Sequence, residues 1–146
     1  MSTRSYIAKK LPNGKYKGVY HHSDGYPSWL GLLLWNHYNN EEQLDKLIAL
    51  GDLSFAGPIP EDDPRLWEPG KIDPVTFRYI EKYESDKCRT YKGRGETDGV
   101  DPHEEKLSWF LSEDFAYIWD GDHFDVYNWG EHIGTLHDVL EREGLI

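Results

Sequence analysis

Short runs that mix apolar and polar positions, residues 4–10 and 15–22, flank Leu11-Pro12-Asn13-Gly14. Aromatic and β-branched residues in such runs suit strands, and Asn-Gly tolerates the positive φ that a tight turn needs. The amino end therefore reads as a β-hairpin. In its second strand Tyr16, Gly18, Tyr20 and His22 share one face, and Lys15, Lys17, Val19 and His21 share the other. Neither face is purely apolar, so both choices of inner face stay open.

The period changes after a loop at 23–27, where Asp24-Gly25 makes the turn and Asp24 is expected to bond nearby backbone N–H groups. Trp29, Leu30, Leu32, Leu33, Leu34 and Trp35 are apolar nearly all round a helix running from Ser28 to about Tyr38. Such a helix is buried on most sides, with Trp29, Leu30, Leu33 and Leu34 expected in the core. A second helix opens at Asn40, with Gln43 three residues on as a capping box. Leu44, Leu47 and Ile48 form its apolar stripe, and Gly51 closes it.

Five of the eight prolines (Pro58, Pro60, Pro64, Pro69 and Pro74) fall in residues 57–74. They exclude a long helix or central strand and predict an extended loop pinned by Leu66 and Trp67. Phe77, Tyr79 and Tyr83 fit a strand or one helix face equally well. Residues 87–91 are strand-like, and 93–99 form a glycine-rich flexible loop. Residues 102–111 read as a short helix, with Pro102 in its first turn and Glu104 and Glu105 near its positive end. Residues 115–119 and 123–129 make a second hairpin across Asp120-Gly121-Asp122, and a last helix spans 135–143 between Thr135 and Gly144. Strand-rich and helix-rich stretches are separate. The expected class is α+β in a single domain, 1–146: an antiparallel sheet built from hairpins, with two or more helices packed on one face.

Charge adds an asymmetry that the element pattern does not show. The net charge is −11, yet residues 1–22 hold five bases and no acid, while 95–146 hold 14 acids against Lys106 and Arg142. A single-sign field of this kind repels nucleic acid and attracts basic protein surfaces, although a solubilising acidic face is the more common explanation of such a bias. Glu104, Glu105, Glu113 and Asp114 are the candidates for such a surface. Six Trp and ten Tyr are a high load: the preferred reading is that they fill a small core rich in rings, and the other is that surplus exposed rings serve as binding anchors. Cys88 is the sole cysteine, which excludes a disulfide within the chain and a zinc site of several cysteines. No apolar run approaches the roughly 20 residues of a membrane span. With no signal-peptide pattern at the amino end, the expected location is the cytoplasm.

Few residues carry chemistry by their spacing. His21 and His22 point to opposite faces of a strand, whereas His22 and Asp24 can share one. Tyr26 lies beside them. Arg89 and Arg94, with Lys92, Gly93 and Gly95, form a basic loop able to cradle phosphate, but the P-loop spacing is absent and a mobile solvated loop is the preferred reading. Asp120-x-Asp122-His123 has metal-ligand residue types, but its composition is that of a tight turn, which is the preferred reading. Neither a metal nor a cofactor is expected.

Several blocks together resemble a known family. They are Thr3-Arg4-Ser5, Asn13-Gly14, Tyr20-His21-His22-Ser23-Asp24-Gly25-Tyr26-Pro27, Gly31, His37-Tyr38 and Leu47-Ile48-Ala49-Leu50-Gly51-Asp52-Leu53-Ser54. Cys88-Arg89-Thr90-Tyr91-Lys92-Gly93-Arg94-Gly95-Glu96 and Phe115-Ala116-Tyr117-Ile118-Trp119-Asp120-Gly121 extend the likeness. In this order they resemble a widespread family of small, uncharacterised bacteriophage and prophage proteins with a Tyr-x-His-x-Asp-Gly-Tyr-Pro block. The chain departs from that pattern at Ser23, where the family often has Trp, and in the spacing at Lys92-Gly93-Arg94. The resemblance implies a phage origin and brings no catalytic residues.

Two functions follow as expectations. The preferred one is a non-catalytic phage accessory protein in the host cytoplasm. It binds and inhibits a host protein with a basic surface, as an anti-defence or anti-CRISPR inhibitor does, with no direct nucleic-acid or membrane contact. The alternative is a nucleotide-binding or nucleotide-hydrolysing protein using His22, Asp24 and Tyr26 with Arg89 and Arg94.

Overall fold

The computed structural model describes residues 2–63, 73–76 and 86–146. Pro64, Leu66, Trp67, Pro69 and the ambiguous Phe77, Tyr79 and Tyr83 lie outside them. In chain order come β1 (Ser5–Lys10), β2 (Tyr16–His21), a π-helical turn (Pro27–Gly31), α1 (Leu32–His37) and α2 (Glu41–Ala49). Then follow β3 (Leu53–Phe55), β4 (Arg89–Thr90), β5 (His103–Glu105), α3 (Leu107–Phe110), β6 (Phe115–Trp119), β7 (Phe124–Asn128), β8 (Glu131–Thr135) and α4 (Leu136–Arg142).

The fold is α+β. The expected first hairpin pairs Ser5 with His21 through Lys10 with Tyr16, and its turn is closed by Leu11 N–H donating to the Lys15 carbonyl at 2.8 Å. The expected second hairpin pairs β6 with β7 and continues into β8. Two parallel seams join these antiparallel units into one mixed sheet. One runs between β1 and β6, from Ser5 opposite Phe115 to Lys9 opposite Trp119. The other sets β3 beside His21 of β2. The strand order is β4-β3-β2-β1-β6-β7-β8, with β5 also beside β2.

The core answers which face of the hairpin turns inward. Ile7, Val19, Tyr117, Trp119, Phe124 and Val126 project from the sheet against Leu30, Leu34, Tyr38, Leu44, Leu47, Ile48, Leu136, Val139 and Leu140. α1, α2 and α4 thus cover one face. The other face carries a smaller cluster of Ala8, Ala116, Ile118 and Phe110, with Phe110 supplied by α3. Asn40 caps α2 as expected, accepting from Gln43 N–H at 2.9 Å, and Thr135 caps α4 by accepting from Asp138 N–H at 3.1 Å. Lys9 ties α2 to the sheet through Glu41 at 3.2 Å and Asp45 at 2.7 Å.

Three expectations change. The first helix does not bury all its apolar side chains. Leu30, Leu34 and Tyr38, four residues apart, face the sheet, while Trp29 and Leu33 are only half-buried. A helix lying on a sheet covers one side, and Leu33 falls on the other. Residues 102–111 are not one helix. β3 reaches β2 only at His21, which leaves the edge at Tyr16–Gly18 open, and His103–Glu105 fills it as a strand with Glu104 opposite Lys17. Only Leu107–Phe110 is helical. Finally, β8 was hidden in the sequence because a register shift at Val126/Tyr127 and the positive φ of Gly134 interrupt its alternation.

Leu34→Ala should cost about 2–5 kcal/mol, because it empties fully buried space. Leu33→Ala should cost clearly less. Urea denaturation of both variants tests this assignment, and equal losses would contradict it.

Candidate functional site

The open stretch of β2 between β3 and β5 organises the polar side of the molecule. Tyr20 N–H has no strand partner on that edge, and the Asp52 carboxylate accepts it at 2.9 Å. The same carboxylate lies 3.1 and 3.2 Å from His103 Nε2. Asp52 N–H donates to the Val100 carbonyl at 2.8 Å, and its own carbonyl accepts from Tyr91 N–H at 3.2 Å. Burial raises the Asp52 pKa, while the Tyr20 amide and His103 pull it down. Around this carboxylate the outer face is aromatic: Tyr6 on Tyr20, Tyr6 on Trp109, Tyr20 on Tyr91, and His103 on Trp109 at 4.8 Å between centroids. The arrangement orients an imidazole with a carboxylate, but no hydroxyl or thiol nucleophile accompanies it among the described contacts. Its evident work is to close the β2 edge.

His21 and His22 do point to opposite faces. His21 is fully buried, stacks on Trp29, and its Nε2 accepts from Ala56 N–H at 3.0 Å. That bond places the proton on Nδ1, facing Ser5 Oγ at 3.5 Å. Burial, then the charge of His22, lowers its pKa to about 3, so it is neutral at ordinary pH. His22 lies with Tyr20, whose hydroxyl is 2.8 Å from its Nδ1. Burial, Arg4 and Arg94 lower the His22 pKa.

Asp24 differs from expectation. It adopts a left-handed backbone with φ of 54°, and its carboxylate makes no hydrogen bond among the described residues. Gly25 secures the loop instead. Its N–H donates to the Thr3 carbonyl at 2.9 Å, and its carbonyl accepts from Tyr117 Oη at 2.8 Å. A Cβ at this position would stand 2.7 Å from Ser5 Oγ, so only glycine fits unstrained. Tyr26 is partly exposed beside it.

The two arginines are not brought together. Arg89 lies over the Phe55 ring at 5.5 Å, and Phe55 packs on Trp29, on the side of the sheet that holds His21. Arg94 lies over Tyr91 at 4.8 Å and pairs with Glu96 at 2.6 Å, on the Tyr20 side. The loop between them is ordered by Asp62, which accepts from both Thr90 N–H and Thr90 Oγ1 at 2.9 Å. Gly93 N–H is directed to Thr90 Oγ1 at 2.8 Å rather than outward.

The acidic candidates divide. Glu104 and Glu105 are exposed on β5. Glu113 and Asp114 line an open groove of 480 Å³ with Ser2, Arg4, His22 and Trp129. Asp114 belongs to the frame: its carboxylate accepts from Arg4 N–H at 3.1 Å, and its carbonyl accepts from Trp129 N–H at 3.0 Å and Asn128 Nδ2 at 2.9 Å. Reversing its charge would therefore disturb structure as well as surface.

Trp129 escaped the sequence reading. It is 68% exposed and holds a φ of 48°, followed by Gly130 at 80°. Two successive positive φ values match a type I′ hairpin turn, whose first central position favours Asn or Gly. The available signal was the placement of an aromatic directly before Gly130 at the end of the second hairpin. Around it, residues 113–146 carry nine acids against Arg142, and these residues build β6, β7, β8 and α4. The sequence asymmetry thus becomes a spatial one, at one end of the strand order. Among the described residues Asp120, His123 and Asp125 group their ligand-type atoms within 4.8 Å of one another. No described helix is long and apolar enough to cross a membrane. Comparison with protein-family models, curated proteins and solved structures finds no match to this chain.

His21 makes a pH prediction. Its folded pKa lies below the ordinary 6.5, so as pH falls the unfolded chain takes the proton first. The stability it contributes is complete above 6.5 and is lost as pH falls toward about 3. Within that window stability should fall by up to about 1.4 kcal/mol per pH unit from this group. His21→Gln should flatten the slope in pH-dependent urea titrations, and an unchanged slope would place the proton uptake elsewhere.

Proposed function

We propose that this chain is a non-catalytic binding protein that docks its acidic end on a basic protein surface, with Trp129 as the anchoring side chain. The observation that carries this reading is Trp129 itself. A large ring held exposed in a left-handed conformation is unfavourable for folding, and strain of this kind gathers at functional positions. Tryptophan is also the residue type most often found at the energetic centre of interfaces. Glu113, Asp114 and Glu131 stand near it in the groove or along the same turn. Their field steers a basic partner and sets the approach.

The resemblance to phage proteins gives the partner its class. A host defence protein with a basic nucleic-acid groove is the target of choice, and the acidic end occupies that groove by presenting carboxylates where phosphates would sit. This is the anti-defence, anti-CRISPR-type role, exercised in the host cytoplasm. A nucleotide pocket receives less support, because Arg89 and Arg94 occupy different faces and Gly93 N–H is already bonded.

The test is binding to a purified CRISPR effector at about 0.05 M and about 0.5 M salt, where screening lengths differ several-fold. Wild-type affinity should fall at least tenfold at the higher salt. Trp129→Ala should weaken binding by roughly 30-fold, the scale of an interface hot spot. Trp129→Asn should bind as poorly while holding or raising the melting temperature, because Asn accepts positive φ. Salt-independent binding, or binding unchanged in both Trp129 variants, would overturn the proposal.

A further inference from the structure

The second hairpin holds more polar convergence than its turn requires. Asp120 Oδ1 accepts from Asp122 N–H at 2.9 Å and His123 N–H at 3.0 Å, and these bonds account for the turn. They do not account for the rest. Asp120 Oδ2 lies 3.3 Å from His123 Nε2, and Asp125 Oδ1 lies 3.4 Å from the same nitrogen. A second imidazole arrives from β8, with His132 Nε2 at 3.1 Å from Asp125 Oδ1.

We propose that Asp120, His123 and Asp125 form a surface site for a divalent transition metal of the zinc class, with His132 as the residue that positions Asp125. The proposal is independent of the docking reading.

Three observations support it. The first is the donor set, because mixed imidazole and carboxylate ligands suit zinc and its neighbours, whereas calcium and magnesium prefer oxygen alone. The presence of two imidazoles separates this group from an ordinary acidic patch. The second is spacing. Tetrahedral zinc with bonds of about 2.0–2.1 Å requires ligand atoms about 3.3–3.4 Å apart, which is the separation of His123 Nε2 from each carboxylate oxygen. The third is preorganisation. The Asx turn fixes the Asp120 carboxylate through one oxygen and leaves the other toward His123, so little reordering is needed. His132 does for Asp125 what outer-shell partners do for metal-ligating carboxylates.

Bringing these three ligands together leaves one tetrahedral position for water or for a donor from another molecule. The site also joins the β6–β7 turn to β8, so an ion there would brace the outer hairpin. The groups near it are Asp120, Asp122, His123, Asp125 and His132, and His137 of α4 lines a pocket with Asp122 and His123.

The experiment titrates chelator-treated full chain with Zn²⁺, and separately with Co²⁺ as a spectroscopic probe. Expected are one ion per chain by calorimetry, a visible cobalt spectrum of tetrahedral intensity, and a raised melting temperature with Zn²⁺. His123→Gln should abolish the cobalt spectrum, and Asp125→Asn should weaken binding at least tenfold. His132→Gln should weaken it about 10–100-fold, as for other outer-shell partners. His37→Gln, at an exposed histidine at the end of α1, should change nothing. These side chains are at the surface, so circular dichroism and melting curves will show that the variants fold. No ion bound by wild type, or binding retained by His123→Gln, would overturn the site. Equal loss in His37→Gln would do so as well, since it would show scattered surface binding.

Discussion

The parallel pairing of β1 with β6 is the constraint on which the rest of the structure depends. It joins a hairpin at the amino end to a strand about one hundred residues later, in register from Ser5 opposite Phe115 to Lys9 opposite Trp119. Ile7 and Tyr117, partners in that register, are both fully buried. Without the seam there would be two small hairpin units, each with an uncovered apolar face. With it, α1, α2 and α4 share one continuous floor. Parallel strands need a long connection, and here β1 ends at Lys10 and β6 begins at Phe115, which leaves ample chain for one. The seam also sets the electrostatics. It puts β6, β7, β8 and α4, with most of the net negative charge, beyond β1, while β2, β3 and β4 lie on the other side.

The edge of β2 poses a second problem, and Asp52 solves it. Two short strands share that edge and leave Tyr20 N–H between them. A buried amide without a partner costs about 1–3 kcal/mol, so a carboxylate that accepts it and also engages His103 is worth the desolvation it suffers. The raised pKa of Asp52 records that desolvation. The His103–Asp52 pair is thus a joint between β5 and the β2–β3 junction. It illustrates why a positioned His–Asp pair alone is not evidence of catalysis.

Much of the frame was legible because it is local. Asn13-Gly14 announced the first turn, Asn40 with Gln43 the start of α2, and Thr135 with Gly144 the limits of α4. What was not legible depends on partners distant in sequence. Glu104 and Glu105 are sensible residues for a helix start, and only the vacancy beside Tyr16 and Lys17 makes them a strand. Leu33 has the same composition signal as Leu34, and only the position of the sheet separates them. The candidate site was legible in charge but not in geometry. The acidic last third was plain, whereas the left-handed Trp129, the lack of a hydrogen-bond partner for the Asp24 carboxylate among the described residues and the separation of Arg89 from Arg94 follow from tertiary arrangement. Gly25, not Asp24, holds the first loop, because its role is a close backbone approach that composition does not reveal.

Charge segregation and an exposed, strained ring at one end of the sheet give the account its central claim: the β6–β8 end is the face that meets another molecule. Hydrogen exchange on the chain alone and bound to a basic effector tests this most directly. The account predicts new protection in residues 112–115 and 128–138, with little change at 20–22 and 89–96. Protection confined to 20–22 and 89–96, with the Trp129 turn unaffected, would contradict it.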